Sequence, residues 1–197
     1  KPAEELYDLV ADPDNVHNLV GNPAHRETLE RMRAEMKRRI LAIKDNGFIP
    51  EGSPLEGYEA SRQPGAVPFE RAVDLANLAS ERNAENLPKL IAALDDPNEV
   101  IRWWGALGCA MLRGKAAAAE PALRKRLAED PSGAVQAAAA DALAQLGQVD
   151  AALPVLERWI TNTSGTFYSV HAANVLSRLG EAGRLHRLHR REREVDL

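Results

Sequence analysis

The sequence holds a single cysteine, Cys109, in 197 residues. That excludes an intrachain disulfide framework and any site built on several thiolates, without fixing the compartment. Long apolar runs are also missing, and no window approaches the ~18 uninterrupted apolar residues of a membrane span. Excess positive charge is absent. The formal net charge is −4, so overall charge gives no support to a nucleic-acid or anionic-membrane partner. The chain opens Lys1-Pro2 with neither an initiator Met nor a signal peptide, and we expect a fragment whose targeting segment, if any, lies elsewhere. The last absence is a second strand. Leu6-Tyr7-Asp8-Leu9-Val10 alternates apolar and polar residues before a turn at Asp12-Pro13, and no later stretch matches it. A lone strand does not persist in water. Its partners are therefore expected outside this chain.

What is present is helical. The composition, 45% hydrophobic and 27% charged, suits one or two packed domains. After Asn22, which can cap, and Pro23, which suits a first helical position, Leu29, Met32, Met36, Ile40 and Ile43 fall on one helical stripe. The helix is expected to stop near Asn46-Gly47. Between 45 and 68, Pro50, Pro54, Pro64 and Pro68 alternate with Gly47, Gly52, Gly57 and Gly65, a pattern that forbids regular structure. A connection this long is a linker or a surface strap, and Phe48, Ile49, Leu55 and Tyr58 favour the strap. Phe69 to about Glu81 reads as another helix.

From residue 84 the chain repeats itself. Pro88, Pro121 and Pro154 stand 33 residues apart, each early in a first helix, and each unit closes near a Gly (Gly114, Gly147, Gly180). Such a period marks a helical solenoid in which neighbouring helix pairs bury each other's apolar faces. The expected pairs are 85–95/99–113, 118–129/133–147 and 150–161/166–180, with no sheet after residue 69. The alanines at 137–140 and Ala142 let second helices approach closely. The predicted layout is an end piece at 1–45, a strap at 46–68, repeats at 69–190 and a tail at 191–197.

Two family resemblances cover different stretches. The repeats resemble HEAT repeats in the first-helix Pro, Asp95-Asp96 at its end, and Val100-Ile101-Arg102 opening the second helix. In that family Asp and Arg form a hydrogen-bonded ladder between adjacent turns. The resemblance implies a ladder of Asp95 or Asp96 with Arg102, a weaker rung of Glu129 or Asp130 with Gln136, and none in the third unit. Glu5 to Leu9, Asp12, Pro13, Asn18, Leu19 and Pro23 resemble the end of type I sulfatases of the alkaline-phosphatase superfamily, where "ELYDL" is the last strand of a small sheet. Some bacterial members carry HEAT-like repeats after that helix. The implied fold class is mainly α, a HEAT-like α–α superhelix of three helix pairs preceded by a strand-loop-helix segment of a sulfatase C-terminal subdomain.

That resemblance implies a missing upstream catalytic domain, and for it a Ca²⁺ ion and a formylglycine made from a C/S-x-P-x-R motif. Here Cys109 is followed by Met111 where the motif needs Pro, within an Ala/Leu helix, so it reads as a small core residue. No catalytic, cofactor-binding or metal-binding residue is assigned in this segment. His17 and His25 flank the first turn and could rim a pocket for a sulfated substrate; otherwise they are surface histidines. His186 and His189, three apart, lack a third ligand. His171 reads as a packing or capping residue. Of the adjacent Trp103 and Trp104, one is expected in the core and the other against a neighbouring helix. Asn162-Thr163-Ser164 fits a glycosylation sequon that matters only in a eukaryotic secretory context. Arg184, Arg187, Arg190, Arg191 and Arg193 read as a solvated helix end rather than a polyanion footprint.

The sequence thus points to a non-catalytic C-terminal part of a sulfatase, periplasmic or extracytoplasmic by resemblance, whose repeats dock on the catalytic domain or wall the substrate. The alternatives are an autonomous HEAT-like scaffold for a protein partner and a nucleic-acid-binding HEAT-like protein. Second-helix residues that are mostly Ala, Gly and Leu disfavour the last.

Overall fold

The computed structural model describes residues 2–161 and 167–180. The chain divides into two compact units between Asp45 and Asn46.

In the first unit, the apolar alternation at Leu6–Val10 does not become a strand, and among the described residues no strand occurs. The expected strand-loop-helix opening is instead an extended segment clasped by a side chain. The Asn18 amide acts as a stand-in for a neighbouring strand. Its Oδ1 accepts from Leu6 N–H at 3.0 Å and its Nδ2 donates to the Glu4 carbonyl at 3.0 Å, while Leu19 N–H donates to the Leu6 carbonyl at 2.8 Å. Asp8 then takes the amides of Val10 and Ala11 in a tight turn. Asn22 caps a 3₁₀ turn at Pro23–His25, which leads into α1 (Arg26–Ile43). Lys44, left-handed at φ 50°, ends the helix and donates back to the carbonyls of Ile40 and Leu41. Arg33 pairs with Glu4, tying α1 to the extended segment. Leu6 and Leu29 are the only buried apolar residues described in this unit.

The second unit begins with the strap, which is more regular than its Pro/Gly content predicts: it holds a 3₁₀ turn at Asn46–Phe48 and one helical turn, α2 (Tyr58–Ser61). Proline at a turn's edge leaves the residues between free to coil. Ile49 and Pro50 are buried, whereas Tyr58 is exposed with the Arg62 guanidinium 3.9 Å over its ring.

Then come α3 (Phe69–Ser80) and three helix pairs: α4 (Leu87–Ala93) with α5 (Glu99–Leu112), α6 (Glu120–Glu129) with α7 (Gly133–Gln145), and α8 (Val149–Thr161) with α9 (167–180). This is a HEAT-like α–α fold. Second helices α3, α5 and α7 pack side by side, with α4 and α6 behind α5 and α7. Composition explains the tight stacking. Ala137 to Ala140 and Ala142 are wholly buried on α7, and small side chains let helix axes approach. On α5 glycines do the same: a Cβ at Gly105 would sit 2.9 Å from the Leu90 carbonyl oxygen, and one at Gly108 would sit 2.5 Å from Leu90 Cδ2. Asn98 caps α5 and also donates to the Ala66 carbonyl, fixing the strap to the repeat. The third unit departs from the period, because Pro154 lies well inside α8 whereas Pro88 and Pro121 occupy the first turns of α4 and α6.

Candidate functional site

The strap lies along the N-terminal ends of the second helices. Trp104 Nε1–H donates to the Phe48 carbonyl at 2.9 Å, Ser53 pairs with Glu99 at the start of α5, and Tyr168 O–H on α9 donates to the Gly52 carbonyl at 2.8 Å. Beneath it is a cavity of about 330 Å³ lined by Ile49, Pro50, Trp103, Tyr168, His171 and Arg178 among others. The two tryptophans pack edge to face at 4.8 Å, Trp103 against the core and Trp104 against the strap.

At the other end of the same helices a second cavity opens, about 520 Å³, with Arg82, Leu107, Met111, Arg113, Lys115, Asp141, Gln145 and Arg178 in its walls. Asp141 is buried on α7 and shared by Arg178 Nη2 at 2.6 Å and His171 Nε2 at 3.4 Å. Burial pushes its carboxyl upward, but the hydrogen bonds and charges of His171 and Arg178 outweigh that and leave it below the ordinary carboxylate value. His171 is thus a partner of a buried carboxylate. Arg82, Arg113 and Lys115 escaped the sequence reading because nothing in their spacing brings them together. The signal that could have flagged them is that each directly follows the end of a second helix.

The ladder residues meet differently from expectation. Asp95 and Asp96 do not supply a carboxylate to Arg102. The Arg102 guanidinium grips Asp130 of the next unit, Nε to Oδ2 at 2.7 Å and Nη2 to Oδ1 at 2.9 Å, and donates to the carbonyls of Asp96 and Pro97. Asp96 pairs with Arg71 on the preceding second helix, and Asp95 with Lys125 and Arg126 on α6. Each rung joins a second helix to the following turn, because the solenoid sets that turn beside the start of the preceding second helix. Gln136 bonds the Asp130 carbonyl rather than its carboxylate.

His17 is exposed, 3.7 Å from Asp12, and His25 is half-buried at the end of its 3₁₀ turn. Neither lines the two cavities of the repeat unit. His186, His189, the sequon at 162–164 and the C-terminal arginines lie outside the described residues. Cys109 is fully buried, and burial pushes its thiol up to about 12. Among the described residues no three His, Cys, Asp or Glu side chains gather as a metal site. The donor set therefore does not fit a calcium site, and sealed Cys109 does not fit a formylglycine. Among the described residues no helix is long and apolar enough to cross a membrane.

A family profile described as HEAT repeats matches residues 87–177, and the helix pairs form a helical repeat scaffold. The chain is also similar to an ulvan-active sulfatase from Formosa agariphila, 41% identical over 51 residues. That match covers 26% of this chain and 9% of the relative, so the chain spans a small part of that protein's length. No solved structure matches significantly.

Proposed function

We propose that this chain is a non-catalytic C-terminal region of a sulfatase whose catalytic domain is encoded before Lys1, with the repeats as a docking or substrate-wall scaffold. The observation that carries the reading is α1. Its apolar stripe is laid out for burial, yet Met32 and Met36 are each 53% exposed and Ile43 is 64% exposed. A helix with that pattern is completed by a surface it packs against. Leu9 and Val10, at 69% and 94% exposed, extend the same need into the preceding segment. The likeness to a sulfatase supplies the kind of domain that would cover them.

In this reading the calcium and the formylglycine belong to the upstream domain, the whole protein works outside the cytoplasm, and His17 and His25 are candidates for its substrate rim. The test is to read the coding sequence before Lys1. A C/S-x-P-x-R motif a few hundred residues upstream in the same frame is the expected result, and an independent start immediately before Lys1 contradicts it. Assayed alone, the chain is expected to leave aryl sulfates intact. Hydrolysis that disappears in Cys109→Ala would overturn the assignment.

A further inference from the structure

We infer that the open cavity at the C-terminal ends of α3, α5 and α7 binds an oligosaccharide bearing sulfate esters. The choice of ligand rests on the sulfatase reading; the site itself rests on geometry. Four cations, Arg82, Arg113, Lys115 and Arg178, line about 520 Å³ against one carboxylate, Asp141. That carboxylate is already engaged by Arg178 and His171. Arg82, Arg113 and Lys115 have no carboxylate partner among the described residues.

Helix C-termini attract cations through their dipoles, which would explain one such residue but not this cluster. Each helix end carries roughly half a negative charge. Even four such ends fall short of the surplus of three positive charges in the wall. Backbone conformation points the same way. Arg82 and Arg113 sit at φ 51° and 53°, where glycine is the ordinary choice and a side chain costs energy. Two such positions facing one cavity both carry a guanidinium, the group whose planar fork matches a sulfate or carboxylate.

The remaining lining fits a sugar. Leu107 and Met111 offer an aliphatic floor for ring C–H groups, while Asp141 and Gln145 offer hydrogen bonds to hydroxyls. The volume falls in the range of small-ligand sites, ~300–1,000 Å³. The wall contains no aromatic side chain. Single-stranded nucleic acid is ordinarily held by stacking on aromatics, so the lining favours saccharide over base.

The test is isothermal titration of the full chain with a short dextran sulfate oligomer, unsulfated dextran and a single-stranded oligonucleotide. The variant combines Arg82→Gly, Arg113→Gly and Lys115→Ala. Glycine relieves the two left-handed residues, so its melting temperature should not fall. A control removes three cations elsewhere, Arg38→Ala, Arg39→Ala and Lys89→Ala. We expect binding of the sulfated oligomer alone, weakened about tenfold or more by the pocket variant, since loss of even one charge-assisted contact is worth ~1.5–3 kcal/mol, and kept by the control. The proposal is overturned by no binding, by equal binding of unsulfated dextran or the oligonucleotide, or by equal loss in the control. Should the upstream motif be absent while the pocket variant alone loses binding, the sulfatase reading falls and the site stands. If the motif is present and the pocket variant binds like wild type, only the site falls.

Discussion

Helices α1 and α5 both carry apolar residues every three or four positions, yet α1 buries only Leu29 while α5 buries nine of its 14 residues. The difference lies in what surrounds each pattern. Around α5, neighbouring helices supply Leu90, Ala93 and Ala79, close enough that Gly105 and Gly108 have no room for a Cβ. Around α1, the stripe from Met32 to Ile43 stays largely exposed. The first unit is held mainly by polar devices: the Asn18 clasp, the Arg33–Glu4 pair, and Glu35, whose carboxyl is held down to about 2 by Arg38 and Arg39. Exposed pairs of this kind contribute little, with a median of ~0–1 kcal/mol. An 18-residue helix is itself marginal without tertiary packing. The repeat unit is self-sufficient, and the first unit is a half-interface.

The contrast breaks most readily at its strongest point. Asp130→Ala strands the buried Arg102 guanidinium, whose side chain is 7% exposed. We expect a loss of ~3–5 kcal/mol in urea denaturation. A loss below ~1 kcal/mol would mean that solvent reaches the pair and screens it.

Next is Gly105→Ala. In an exposed helix this change gains up to ~1 kcal/mol. Here the new methyl meets the Leu90 carbonyl, which cannot swing aside, and the net effect should be a destabilisation of ~1–3 kcal/mol. An unchanged melting temperature would show that α4 and α5 are further apart than the structure has them.

How much of this was legible before folding depends on periodicity. The 33-residue spacing of Pro88, Pro121 and Pro154 located all three helix pairs, because the repeat is local and each helix pattern is read in its own frame. The ladder partners were not legible. Arg102 reaches 28 residues onward to Asp130, a choice made by stacking that local spacing cannot encode. The opening strand failed for the opposite reason: its alternation is genuine, but a ladder needs a neighbour, and the Asn18 side chain supplies only one residue's worth of pairing. The cationic cavity was invisible because Arg82, Arg113, Lys115 and Arg178 come from separate helix ends.

A smaller effect concerns Asp141 and acid. Its carboxyl is lowered in the folded chain, so its contribution is present in full above the ordinary value of 3.8 and is lost as pH falls through the lowered folded value. Asp141→Asn should therefore cost about 1–2 kcal/mol at neutral pH, modest because Arg178 is half exposed. The gap from wild type should close below pH 3.8. A gap that stays constant down to the lowest pH would assign the loss to packing.

The smallest effect sharpens the comparison from the other side. Met32→Asp with Met36→Asp should change the stability of the isolated chain by no more than about 0.5 kcal/mol, as for surface sites generally. A loss above ~2 kcal/mol would show that these methionines are already buried in solution.

Hydrogen exchange on a strictly monomeric sample tests the central claim most directly. The account predicts slow exchange through α5 and α7, near the global limit, and fast exchange through Leu29–Ile43 and Tyr7–Val10, close to an unprotected peptide. Protection of α1 equal to that of α5 and α7 would show that the first unit completes itself, and would contradict its reading as a surface awaiting another domain.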